Sequence, residues 1–345
     1  MTMHDSPPTP TQAFRVAPRI RRFTRSSYIG LGVSAALVIV LALLPYYVPL
    51  GSTREVTNLF IYVILATSWN LLAGFGGMVS IGQQAYIGIG AYGLVVLADM
   101  VGMNQLLAVP VIAVICAIVA VPISYVAFRL VGGYFAVGTW VIAEMIRLLT
   151  IRVPELGAGS GISLAPMAGV DRDMRIALGY WAALAVAAIV VTAVILVARS
   201  KLGLALTAVR DEPLAAATSG VNVVSAKRIV FIIAGAAAGA AGALIAISTL
   251  NVQPTAVYGV QWSAYMIFIV VIGGVGSIEG PLIGAFVFWA LQVLLADFGE
   301  FYLIGLGLLG VVMVLFAPGG IWGLITRRRR VNLFPIGYRL DAPEG

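Results

Sequence analysis

An all-α bundle of about ten membrane-spanning helices, with both chain ends in the cytoplasm, is the fold this sequence predicts, and three observations predict it. Apolar residues make up 61% of the 345 residues and charged residues only 10%, against roughly 25% charged in a soluble domain. Mean hydropathy is +1.03, more apolar surface than a soluble chain of this length can hide, so lipid has to be the solvent for most of it. Apolar runs of about 17–25 residues recur along the chain, the length that crosses a bilayer as a helix. Basic residues, finally, fall mainly on one side of the resulting topology.

Each element has its own reason. Residues 1–26 are polar, proline-bearing and basic, with Arg15, Arg19, Arg21, Arg22 and Arg25, and are expected as a cytoplasmic tail. The run from Tyr28 to Leu50 is too long for the core of a signal peptide and lacks a small-residue cleavage site, so it reads as the first span. The expected spans are 28–50, 57–73, 81–101, 106–128, 133–152, 178–198, 229–250, 262–276, 281–297 and 302–318, within a transmembrane domain of 27–326. A basic tail of 327–345 follows. With an even number of spans both ends share one side, and sixteen of the 21 Lys and Arg residues fall there: the N-terminal five, Arg129, five in the 199–228 loop, and five from Arg327 onward. That places the ends and the 199–228 loop in the cytoplasm. On the opposite side the long connection 153–177 is rich in glycine and serine and is expected to lack regular structure.

Absences exclude several chemistries. The single cysteine, Cys116, lies in an apolar run, so there is no intrachain disulfide. The single histidine, His4, is in the N-terminal tail, which excludes a histidine-built metal site and any His-activated nucleophile in the membrane. Neither lysine, Lys201 or Lys227, follows a glycine, so no Walker A phosphate loop is present. No cofactor, metal or nucleic acid is expected. Intramembrane carboxylates are too few for a proton relay.

The polar positions inside the spans then carry the candidates. Gly76-Gly77-Met78-Val79-Ser80-Ile81 and Gly273-Gly274-Val275-Gly276-Ser277-Ile278 share the pattern GGxxSI, and further glycines follow both. Backbone breaks at membrane depth survive only against protein or a water-filled cavity, and in transporters such breaks often line the route. Close helix packing through small residues is the other reading, and the two stand side by side. Candidate route residues are therefore Asn70, Gly77, Ser80, Gln83, Gln84, Gly274 and Ser277. Glu144 and Arg147 are three apart on one helix face and are expected to pair, as a structural salt bridge or as a gating contact. Gly235, Gly239 and Gly242 are spaced for helix–helix contact.

The segment Asp211–Arg228 is a polar interlude between apolar runs, too short and too charged to span. Asp211 and Glu212 offer a helix start, Pro213 suits a first turn and Gly220 a stop. A small helix at the membrane surface is what a membrane transporter would present to a soluble motor.

With these residues in view, the chain resembles LivM-type permeases of the bacterial branched-chain amino acid ABC importers. The resemblance spans roughly residues 55–325 and rests on five segments in order: NLLAGFGGMVSIGQQAYIGIGAY (70–92), GGYFAVGTWVIAEMIRLL (132–149), VRDEPLAAATSGVNVVSAKRIVF (209–231), GGVGSIEGPLIGA (273–285) and FAPGGIWGL (316–324). It implies a multi-pass inner-membrane subunit working with a second related permease, two cytoplasmic ABC ATPases and a periplasmic solute-binding protein. It implies that 211–228 is the coupling segment, centred on Asp211, Glu212, Ala215, Ala216 and Gly220. Importers of this kind often show EAA-xxx-G there; Ala215, Ala216 and Gly220 fit, while Leu214 stands in place of the glutamate. The implied substrate is a branched-chain amino acid or another small solute, such as another amino acid, a short amide or urea. The rival readings are a stand-alone secondary transporter, a membrane-embedded enzyme and a purely structural subunit.

Overall fold

Apolar segments with no water to bond their peptide groups satisfy those groups internally, and an α-helix does so along its whole length. The computed structural model describes residues 19–21, 32, 36–295, 301–317, 319–328 and 339–341, and among these the chain is almost wholly helical. Helix α1 is Ala36–Tyr46 and α2 is Leu50–Phe75. Helix α3 is Gln84–Met100, α4 Gln105–Ala127, α5 Gly133–Ile151 and α6 Arg172–Arg199. Two short helices, α7 (Lys201–Asp211) and α8 (Pro213–Thr218), precede α9 (Val223–Thr249). Helices α10 (Pro254–Val257), α11 (Gln261–Gly273), α12 (Glu279–Leu294), α13 (Phe301–Phe316) and α14 (Gly320–Arg328) complete the order. Four minimal strands pair antiparallel: β1 (Arg19–Arg21) with β4 (Arg339–Asp341), and β2 (Ile162–Ser163) with β3 (Asn251–Val252).

Helix α9 is the hub. It packs against α2, α3 and α4, while α2 in turn packs against α6, α11 and α12. Small side chains make this possible: Gly239 and Gly242 let α3 come so close that its Gly90 and Ile87 backbone lie against them. An added methyl at Gly239 would also lie 2.7 Å from Cys116 Cβ, so the lone cysteine is a buried packing residue.

Among the described residues, seven segments are long and apolar enough to cross a membrane: Leu50–Phe75, Gln105–Ala127, Gly133–Ile151, Arg172–Arg199, Val223–Thr249, Pro254–Gly273 and Gly307–Thr326, the last taking in parts of α13 and α14. The apolar helices α1, α3 and α12 are shorter. This is a multi-pass helical membrane protein. Several boundaries differ from those expected. The described part of the first span is Ala36–Tyr46, and Leu50 already belongs to α2, which begins seven residues before the expected Thr57. The span expected at 81–101 is helical only from Gln84, because 76–83 is a non-helical break that bonds to neighbouring elements. Residues 296 and 297 of the ninth expected span and 318 of the tenth lie outside the described residues, as does most of each tail. The 153–177 connection is more ordered than its glycines suggest. It holds a short 3₁₀ turn (Pro154–Leu156) and strand β2, with Gly157, Gly159 and Gly161 at positive φ supplying the bends.

Candidate functional site

Both GGxxSI segments are helix breaks, and the fold brings them together. Helix α2 loses its α geometry in a π-helical turn, Leu71–Phe75, and Gly77 then reverses the chain at φ +67°. The reversed segment runs back beside α2, where the Trp69 indole N–H donates to the Ser80 carbonyl at 2.8 Å. Trp69 lies seven residues before Gly76, so the chain doubles back by roughly 10 Å at 1.5 Å per residue. The second break follows α11, with Gly274 at φ +131° and Gly276 at φ +76°. Ser277 Oγ donates to the Gly274 carbonyl (2.9 Å) and accepts from the Gly280 N–H (3.0 Å), closing the turn that starts α12.

Asn70 joins the two. Its amide nitrogen donates to the Ser277 carbonyl at 2.8 Å, and its amide oxygen accepts from the Gly276 N–H at 2.9 Å. Asn70 is fully buried, and its one side chain satisfies two backbone groups of the second break. Gly74 permits the approach: an added methyl there would lie 2.6 Å from the Gly276 nitrogen. Arg210, the penultimate residue of α7, covers the junction. Its Nη1 donates to the Gly74 carbonyl at 2.9 Å, its stem lies over Gly77, and its Nε donates to Asp211 Oδ1 at 3.0 Å.

The expected route residues therefore divide into two groups. Asn70, Gly274 and Ser277 share the junction, with Gly77 at its edge under Arg210. Ser80 and Gln84 belong to a second polar seam on the reversed segment. There the Ile81 N–H donates to Thr139 Oγ1 of α5 (3.2 Å), and Ser263 Oγ of α11 lies 2.9 Å from the Ile81 carbonyl and 2.5 Å from Gln84 Oε1. Gln83, beside this seam, is 1% exposed, and neither atom of its amide has a hydrogen-bond partner among the described residues. A buried amide left unmatched costs on the order of 1–3 kcal/mol, the kind of deficit that a water or a passing solute relieves. Trp69, Thr139, Arg210 and Ser263 were not foreseen from the sequence. Arg210 had one visible signal, its position next to Asp211 at the edge of the polar interlude.

The 199–228 segment is two helices and a turn. Ser200 caps α7 through Leu202 N–H (3.1 Å), and Asp211 closes that helix instead of opening the next. Pro213 is the first residue of α8, whose capping position is Glu212, although the Glu212 side chain makes no capping hydrogen bond. Gly220, at φ +84°, ends α8 in a left-handed turn: Val221 N–H donates to the Ala216 carbonyl (3.1 Å) and Gly220 N–H to the Ala217 carbonyl (3.0 Å). Asp211, Glu212, Ala215 and Gly220 are exposed, while Ala216 is buried and seats α8 on the bundle. Glu144 and Arg147 pair on α5, with Arg147 Nε 2.9 Å and 3.0 Å from the two carboxylate oxygens. The pair is only partly covered by this chain, the Glu144 side chain being 44% exposed.

The family described as branched-chain amino acid transport system / permease component matches residues 53–317. The high-affinity branched-chain amino acid transport system permease protein LivM of Salmonella typhimurium is 28% identical over 312 residues, covering 83% of this chain and 73% of that protein. The protein of the same description from Escherichia coli is 27% identical with the same coverage. No solved structure matches the chain.

Proposed function

This chain belongs to the branched-chain amino acid transport system permease family, and on that premise we propose that it is one of two permease subunits of an ATP-driven importer in the bacterial inner membrane. The family is one of transport permeases and not of enzymes. The solute is a branched-chain amino acid or a related small polar molecule, delivered by a periplasmic binding protein, and two cytoplasmic ABC ATPases supply the energy. In this reading ten helices span the bilayer, α1, α3 and α12 serving as the shorter ones, with both termini and α7–α8 in the cytoplasm. Residues 1–26 and 327–345 are the cytoplasmic tails.

The observation that carries the proposal is Arg210. A motor pushing on α8 needs a rigid path to the route, and Arg210 joins the end of α7 directly to the carbonyl of Gly74 at the meeting point of both helix breaks. Asp211, Glu212, Ala215, Ala216 and Gly220 form the surface that meets the ATPase. Asn70, Gly77, Ser80, Gln83, Gln84, Gly274 and Ser277 form or support the route. Glycine breaks held by few side-chain bonds are where a backbone can rearrange, and alternating access requires such rearrangement.

The test is ATP-driven uptake by the complex isolated under gentle detergent conditions and reconstituted into vesicles with its binding protein. Arg210→Ala is expected to assemble and to hydrolyse ATP while losing most uptake, with Arg210→Lys intermediate because a lysine keeps the charge but lacks the planar fork that reaches Gly74 and Asp211 together. Uptake by the chain alone, driven by an ion gradient, would overturn the proposal. So would full ATP-driven uptake by Arg210→Ala.

A further inference from the structure

Among the described residues, α5 is one of the two least covered candidate spans, with 17% of its most apolar stretch buried, and it is also the wrong composition for lipid. Only Phe135, Thr139 and Ala143, at intervals of four, are buried, and they form the stripe against the rest of the bundle. Thr139 holds Ile81, and Thr150 shares a 2.9 Å hydrogen bond with the Tyr258 hydroxyl. Ile142 and Ile146 flank that stripe, partly buried against the core, while Val137, Trp140, Val141, Met145, Leu148 and Leu149 on the other side are exposed. That exposed side follows a single helical ridge from Trp140 through Glu144 and Leu148 to Arg152.

Helix α4 provides the internal comparison. It is nearly as bare, with 28% of its most apolar stretch buried, yet it has no charged residue between Gln105 and Ala127. That is the composition expected of a helix that faces lipid. Helix α6, one-third buried over its most apolar stretch, keeps its charges at its two ends. Helix α5 instead places Glu144 two residues past its midpoint and Arg147 one turn later, both partly exposed on the bare side. An unpaired charge at mid-span costs on the order of 2.5–3.5 kcal/mol on insertion scales. Pairing within α5 reduces that cost, but the pair still needs polar or protein surroundings. The apolar side chains around it, Trp140, Val141, Met145 and Leu148, are equally unsuited to a purely aqueous wall.

We propose that the outward face of α5 is the surface on which the second, related permease subunit docks, with the Glu144–Arg147 pair enclosed in the seam between the two proteins. This inference rests on the importer reading above. The charges on the face select the occupant. Glu144, Arg147 and Arg152 sum to one net positive charge. A second copy of this chain, related by a two-fold axis along the membrane normal, would set the two Arg152 side chains at the same level and opposed. A related but non-identical partner can instead offer an acidic or neutral polar group at that level. The ridge spacing of four residues suits a helix laid lengthwise against it.

The experiment places a photo-crosslinking amino acid at Leu148 or Val141 of α5, and at Val114 on the bare face of α4 as the lipid-facing control, in the importer isolated from native membranes. Irradiation is expected to give an adduct of this chain with the second permease from both α5 positions and none from Val114. An adduct with a second copy of this chain, with an ATPase or with lipid alone, while the second permease co-purifies, would overturn the inference and leave the importer reading intact. Absence of any second permease from the complex would remove the importer reading and this one with it. In a further arm, Glu144→Leu with Arg147→Leu makes the face resemble α4. Loss of the second permease from the purified complex is expected, and undiminished recovery would argue for lipid.

Discussion

Replacing Asn70 with alanine tests whether one buried amide holds the two helix breaks together. The change removes two hydrogen bonds, from the amide nitrogen to the Ser277 carbonyl (2.8 Å) and to the amide oxygen from the Gly276 N–H (2.9 Å). Gly276 and Ser277 are partly buried, so losing either bond costs about 0.5–1.5 kcal/mol of local stability. Loss of the bond to its own N–H then corresponds to roughly 2–13-fold faster amide exchange at Gly276. Hydrogen exchange of the complex in lipid nanodiscs, read on a peptide covering 274–280, gives the value directly. Asn70→Asp separates the two bonds. A carboxylate still accepts from Gly276 but sets an oxygen against the Ser277 carbonyl, so Gly276 is expected to exchange at a rate between those of the parent and of Asn70→Ala. Uptake should fall in both variants. Unchanged exchange at 274–280 in a folded Asn70→Ala protein would refute the reasoning, because the amide would then hold nothing that the surrounding packing does not.

Three further outcomes are expected. Gly74→Ala places a methyl 2.6 Å from the Gly276 nitrogen and should sharply reduce uptake, whereas Gly133→Ala, with open space around it, should leave uptake within about twofold; equal effects in a transport assay would dissociate the junction from function. Ala216→Glu charges the buried contact of α8, and Gly220→Val puts a β-branched residue at φ +84°; both should insert normally yet lose coupling of ATP hydrolysis to uptake, and normal uptake would remove α8 from the coupling role. Gln83→Ala breaks no hydrogen bond and should alter transport with little change in thermal stability. Gln292→Ala loses the 2.6 Å bond from the Tyr62 hydroxyl, costing on the order of 1 kcal/mol, and should alter stability more than transport; wild-type uptake in both would argue against Gln83 facing the route.

Sequence alone identified the solvent, the helical class and the approximate positions of the apolar segments, because lipid imposes a composition and a length on anything that crosses it. It also located local punctuation. Pro213 at the start of α8 and Gly220 at its end are backbone preferences that act within a few residues, and both operate in the structure as their chemistry dictates. The two GGxxSI segments were visible as breaks for the same reason. What they join was not visible. The Asn70 bond to Ser277 spans 207 residues, the Ser263 bond to Gln84 spans 179, and the Arg210 bond to Gly74 spans 136. No local pattern encodes such pairs, since each residue reads alone as an ordinary polar side chain near an apolar run. That the first break runs on through 81–83 was hidden similarly, because the partners of Ile81, Thr139 and Ser263, come from two different helices. Lipid and protein interior are equally apolar, so hydrophobicity marks a helix as membrane-embedded without saying which face meets a neighbour. Only the packed chain decided that, by burying three residues of α5 and leaving its charged ridge uncovered.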